Sequence, residues 1–158
     1  MSNERDVIVL GDGEGEPVWF LDHFCTLKVR KRDGAPYGLL EVRLPKGGET
    51  PFHRHHDEDE AFYVLEGQLT IVLEGGRTIV GRPGSYVHIP KGKAHGFRVD
   101  EALRMLVLCG SDGFVEFVTE AGMPAPRREL PPAAPPDFPR LERAAEKYRI
   151  DLLGPLPA

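Results

Sequence analysis

The octapeptide HRHHDEDE, residues 53–60, holds three histidines and four carboxylates. Imidazole and carboxylate are the side chains that carry protons and ligate divalent metals. Which of them act together depends on the backbone beneath them. A helix would put His56 and Glu60 on one face at i, i+4. Pro51 just upstream and the strand-like AFYVLEG just downstream oppose a helix. On a strand the period is two, so His53 and His55 face one side and His56 the other. Glu60 opens the next strand in phase with Phe62 and Val64, which belong to an apolar interior. The inward set is therefore His53, His55 and Glu60. Arg54, His56, Asp57, Glu58 and Asp59 are assigned to a solvated turn between the two strands.

An ionised carboxylate cannot be buried cheaply without a compensating cation. No Lys or Arg falls on this inward face, so a divalent metal is the group that would satisfy two imidazoles and a carboxylate at once. The segment GSYVHIPKGKAH, residues 84–95, supplies a fourth candidate. Gly84 opens a strand, Pro90 ends it, Gly92 turns the chain, and His95 begins the next strand ahead of Phe97. His88 competes with His95 but alternates with Val87 and Ile89, as a packed or outer histidine would. His23 stands alone in an apolar run and is assigned a structural role.

The elements that must position these residues are short. Fifteen prolines and eighteen glycines punctuate the chain. Between them lie VWFLDHFCTLKVR (18–30), LLEVRL (39–44), AFYVLEG, QLTIVLEGG, RTIVGRPG, YVHIPKG, HGFRV, ALRMLVLCG and GFVEFVTEAG. Each reads as strand ended by a turn signal, which predicts an all-β barrel or sandwich with little helix before residue 120. GDGEGEP (11–17) reads as a turn and not as a phosphate loop, because no helix follows it. Residues 123–139 are too rich in proline for helix or central strand and form an extended arm. One helix then follows, capped by Asp137, with Pro139 in its first turn and Leu141, Ala145 and Tyr148 as its apolar stripe. The expected division is a barrel over 1–122 and, over 123–158, an arm and amphipathic helix. That helix packs on the barrel or on a second subunit.

The net charge of −5 gives no reason to expect nucleic acid or an anionic membrane as partner. No apolar run approaches the roughly 20 residues of a membrane span. The first residues show neither a basic nor an apolar leader region. With Cys25 and Cys109 as the sole cysteines, two reduced core thiols in a cytoplasmic protein are expected.

Taken together, these residues resemble the cupin superfamily. Its first motif, G(X)5HXH(X)3–4E(X)6G, matches Gly47, His53, His55, Glu60 and Gly67. Its second, G(X)5PXG(X)2H(X)3N, matches Gly84, Pro90, Gly92 and His95, with Val99 in place of the final Asn. The wording of VWFLDHFCTLKV, HRHHDEDEAFYVLEG and FPRLERAAEKYRIDLLGPLP is also similar to the quercetin 2,3-dioxygenase-like branch of single-domain cupins. The resemblance implies a double-stranded β-helix, or jelly-roll barrel. It also implies one divalent transition metal on His53, His55, Glu60 and His95, and a homodimer.

Three neutral imidazoles and one carboxylate would leave a divalent site with a charge of +1 and, at six-coordination, two open positions. Iron and manganese suit O2 chemistry, the resemblance adds nickel, and zinc usually prefers fewer ligands but stays open, because ligand type alone does not choose the metal. The favoured expectation is a dioxygenase acting on a small hydroxyl- or enol-bearing apolar or aromatic substrate. Glu60 would serve as catalytic base as well as ligand, and Phe62, Val64 and Phe97 would line the pocket. The alternatives are a metal-dependent isomerase or lyase of a sugar or hydroxy-acid, helped by Arg43, Arg98 or Arg104, and a non-catalytic cupin that binds a small ligand. Strand phase turns Arg98 outward.

Overall fold

The computed structural model describes residues 5–158. The first four residues, read above for a leader, lie outside them. The strands are β1 (Glu16–Phe20), β2 (His23–Val29), β3 (Gly38–Leu44), β4 (His53–His55), β5 (Glu60–Leu73), β6 (Thr78–Gly81), β7 (Tyr86–Ile89), β8 (His95–Cys109), β9 (Met123–Pro124) and β10 (Ile150–Leu152). The helices are α1 (Gly113–Ala121) and α2 (Phe138–Lys147). The strands form one antiparallel system in the order β10-β4-β8-β3-β2-β1-β9, with β5 joined to β6, β7 and β8. This is the expected all-β jelly-roll architecture. The alternation read from sequence sets its core: Leu40, Val42 and Leu44 of β3 and Leu103, Met105 and Val107 of β8 are buried.

Two expected strand ends are absent. Gly67 was read as a turn, but β5 runs on through it as a bulge, with register shifts between Val64 and Leu69 against β8. Gly67 has φ +83°, and a Cβ there would lie 2.0 Å from the Ala102 carbonyl oxygen, so glycine alone lets the strands approach. The HGFRV and ALRMLVLCG runs likewise join as β8. Conversely, the run over 18–30 is a hairpin, with Phe20 paired to His23 and a two-residue loop at Leu21 and Asp22.

GFVEFVTEAG is a correction to the strand assignment: it is helix α1. Its β-branched and aromatic residues favour a strand locally, but Phe114, Val115, Phe117 and Val118 also recur at helical spacing. Val115, Phe117 and Val118 are buried, and burial on that face outweighs the local preference.

The arm lies along β1. Trp19 Nε1 donates to the Glu129 carbonyl at 2.8 Å, and Arg128 donates to the carbonyls of Gly13 and Gly15 at 2.7 and 2.9 Å. In α2, the Asp137 carboxylate accepts from the Arg140 amide at 3.1 Å, and Leu141, Ala144 and Ala145 are buried. The helix packs on α1, where Lys147 and the Tyr148 hydroxyl donate to Glu120 at 2.6 and 2.7 Å. The tail then does something its sequence did not announce. Residues 150–152 pair with β4: Ile150 with His55, Asp151 with Arg54, and Leu152 with His53.

Candidate metal centre

β4 carries two histidines on a three-residue strand. One side is held to β8 through the single pair His53–His95, and the other to all of β10. Glu60 starts β5 and His95 starts β8. The four side chains converge. One ligand atom from each of His53, His55, Glu60 and His95 can be chosen so that all lie within 4.8 Å of one another. His95 Nε2 is 3.0 Å and His55 Nε2 3.2 Å from Glu60 Oε2. His55, Glu60 and His95 are buried, while His53 keeps some surface.

The ring nitrogens suit a metal. His53 Nδ1–H donates to the Pro51 carbonyl at 2.7 Å and His95 Nδ1–H to the Lys93 carbonyl at 3.0 Å. A carbonyl only accepts, so each bond puts a proton on Nδ1 and turns Nε2 toward the cluster, where a metal would take the place of the proton that His95 Nε2 shares with Glu60. His55 is buried; among the described residues its Nδ1 has no partner, and its Nε2 meets only the Glu60 carboxylate at 3.2 Å, outside hydrogen-bond geometry. A buried polar atom without a partner costs about 1–3 kcal/mol, and a cation among these four groups would remove that cost. Burial, with His95 and His55 alongside, pushes His53 down to about 3. Burial would also lower His55 and raise Glu60, but their mutual attraction outweighs it. His55 is held above its ordinary value and Glu60 well below the usual carboxylate range.

His56 is exposed, with Nε2 2.7 Å from Asp151, and His88 is exposed, with Nε2 2.9 Å from Asp59. Neither joins the cluster. Glu58 corrects the solvated-turn assignment. It is 7% exposed and accepts from the Ser111 hydroxyl at 2.5 Å, with its carboxyl raised by burial. The acidic run hid this because the bend after His56 resets the alternation. Val99, where the second motif has Asn, makes its local bonds with backbone: its amide donates to Gly48 and its carbonyl accepts from Gly47 at 2.8 and 2.9 Å.

A cavity of about 50 Å³ adjoins the cluster. Phe62 and Phe97 line it. Val64 does not: it is buried beneath the wall, in the core. The structure adds wall residues that strand phase could not supply: Phe114, Phe117 and Val118 from α1, Leu141 from α2, and Ile150 and Leu152 from β10. It also adds His23, which was assigned a structural role.

Residues 40–109 match the family model for the Cupin domain, and the fold around them is the jelly roll that the cupin resemblance implies. It is 31% identical over 154 residues to quercetin 2,3-dioxygenase of Bacillus subtilis (strain 168), covering 95% of this chain and 44% of that one. It is 31% identical over 100 residues to dimethylsulfoniopropionate lyase DddQ of Ruegeria pomeroyi, covering 59% and 48%. The chain thus spans about half the length of the curated relatives it matches. Ectoine synthase from P. lautus shares the fold, with a TM-score of 0.63 at 20% identity over 80% of this chain and 94% of that one. The His/Glu cluster is one that could hold a metal. Cys25 and Cys109 are both buried and free, and no helix among the described residues is long and apolar enough to cross a membrane.

Proposed function

We propose that this chain is a metal-dependent dioxygenase of a compact, mainly apolar substrate bearing a hydroxyl or enol, with His53, His55, Glu60 and His95 as ligands. The observation that carries the metal is the convergence of three imidazoles on the buried Glu60 carboxylate, with His55 Nδ1 unpartnered among the described residues and its Nε2 meeting only Glu60 at 3.2 Å. The oxygenase reading draws on the likeness to quercetin 2,3-dioxygenase and on the cavity wall. A divalent iron, manganese or nickel bound here would supply open positions for a substrate oxygen and for O2.

The chain's own residues divide the remaining work. His53 and His95 hold fixed tautomers through their backbone acceptors. Glu60 provides the negative charge and, where its carboxylate loosens, a proton acceptor for the substrate hydroxyl. Phe62, Phe97, Phe114 and Phe117 keep bulk water from the reacting end. At about 50 Å³ the free space is smaller than any aromatic ligand, so a single-ring substrate enters as the wall yields a little and a three-ring flavonol only as it yields much more.

The sugar or hydroxy-acid alternative wants cationic or hydrogen-bonding groups in the pocket; among the described residues no Arg or Lys lines it, and His23 and Thr50 are the hydrogen-bonding side chains there beside the cluster. Arg98 and Arg43 are half exposed, and Arg104 pairs with Glu41 at 2.7 Å. A homodimer belongs to this proposal. Leu108, Tyr63 and Tyr86 stand exposed on the outer face of β8, β5 and β7, and α2 packs elsewhere.

The test is oxygen uptake by protein loaded separately with iron, manganese and nickel, screened over catechols, β-diketones and flavonols. Uptake with at least one compact substrate is expected. A substrate converted without O2 would replace the oxygenase with a lyase or isomerase.

A further inference from the structure

His23 is the histidine that the metal cluster leaves over. It opens β2 directly after the hairpin loop, is 5% exposed, and lines the cavity. Its Nδ1 lies 2.8 Å from Asp22 Oδ1. A carboxylate can only accept, so Nδ1 carries the proton. Among the described residues Nε2 has no hydrogen-bond partner, and it is not sealed from solvent as the nitrogens of His55 are. A side chain this deeply enclosed can keep accessible surface on Nε2 where it meets the cavity that it lines.

The backbone is bent to present this pair. Leu21, between Phe20 and Asp22, has φ +54°, a region a branched side chain seldom adopts, and Leu21 lines the same cavity. Strain held at such a position points toward function. Apart from the cluster, the polar side chains on the wall are His23, Cys25 and Thr50. Thr50 Oγ1 already accepts from the Phe97 amide at 3.0 Å, and burial raises the Cys25 thiol. His23 is thus the side chain best placed to exchange a hydrogen bond with a ligand. A run of neighbouring aromatic rings leads along the cavity wall from the metal ligands to His23: His95 to Phe62 is 6.3 Å between centroids, Phe62 to Phe97 5.7 Å, and Phe97 to His23 6.4 Å.

We infer that His23, oriented by Asp22, is the specificity residue that grips a second polar function of the ligand, away from the metal. The ligand class is a compact apolar or aromatic molecule with a metal-binding oxygen group at one end and a hydroxyl at the other. Nε2 exchanges a hydrogen bond with that hydroxyl, and Asp22 steadies the ring as the bond forms. This inference rests on the metal-site reading above but not on oxygen chemistry.

The test uses cobalt-loaded full-length protein and two probes, benzohydroxamate and 4-hydroxybenzohydroxamate. Both grip a divalent metal in the same way and differ by one distal hydroxyl. Dissociation constants are read from the cobalt absorption spectrum. Wild type is expected to favour the hydroxylated probe by about tenfold, in line with one added hydrogen bond. His23→Phe is expected to bind both probes alike. His23→Gln, which retains a polar group near the Nε2 position, is expected to recover part of the preference. A merely structural role would weaken both probes together. An equal preference in wild type and His23→Phe, or no binding of either probe to cobalt-loaded wild type, overturns the inference. Failure to take up cobalt at all is a failure of the metal reading, and metal analysis distinguishes it.

Discussion

Ile150→Ala tests whether the C-terminal segment builds the site or merely decorates it. Ile150 is 6% exposed, pairs with His55 across the β10–β4 ladder, and lines the cavity. Truncating a buried isoleucine to alanine typically costs about 2–5 kcal/mol through lost transfer energy and the void left behind. At about 2–4 °C per kcal/mol for a chain of this size, the melting temperature should fall by about 4–20 °C. β4 has a single pair to β8, so the slackened β10 ladder should also loosen His53 and His55. Metal affinity should drop by about 10–100-fold, as it does when groups that orient ligands are lost. Asp151→Ala is the control on the same strand. Asp151 is half exposed and makes surface ion pairs with His56 and Arg54, which solvent screens, and its removal should leave metal affinity unchanged. The assays are thermal unfolding of metal-free protein and competition titration against a metal-binding dye. An Ile150→Ala protein that loses less than about 0.5 kcal/mol and keeps its metal affinity would refute the reasoning.

Other outcomes follow from the same geometry. Glu60→Gln keeps an oxygen at the cluster but loses charge and basicity. It should retain much of its metal and lose turnover by about 10²–10⁴ on a substrate found in the oxygen-uptake screen, and a nearly fully active variant would reduce Glu60 to a ligand alone. Glu120 is held below its ordinary value by Lys147 and Tyr148, so its contribution is present above the unfolded carboxylate pKa and lost as pH falls through the depressed folded one. Urea midpoints measured from pH 6 to 3 should therefore fall less steeply for Glu120→Gln than for wild type, and parallel curves would discount the α1–α2 clamp. Light scattering at micromolar concentration should give the mass of a dimer, and Tyr63→Lys with Leu108→Lys should shift it toward monomer.

The convergence of the four candidate ligands was legible because strand alternation is strict over short spans. His53 and His55 lie two apart, and Glu60 is in phase with Phe62. The barrel was legible because glycine and proline divide the chain into strand-length runs. What escaped reading depends on contacts distant in sequence. Gly67 looks like a turn until Ala102 is brought against it. The residues of α1 satisfy both strand and helix patterns, and the surface they bury decides between the two. β10 has only three residues and becomes a strand because β4 offers it an edge. Glu58 and His23 were assigned to solvent and to structure because nothing local shows that Ser111 or the cavity lies beside them. The pocket wall drawn from α1, α2 and β10 belongs to the same group.

The central claim is a single metal on four named side chains. Protein purified without chelators and analysed by mass spectrometry of its elements should carry one divalent transition metal per chain. His95→Ala should bring this close to zero, while His56→Ala and His88→Ala should keep it at one. Equal loss from His95→Ala and His56→Ala, or a full complement of metal in His95→Ala, would contradict the account.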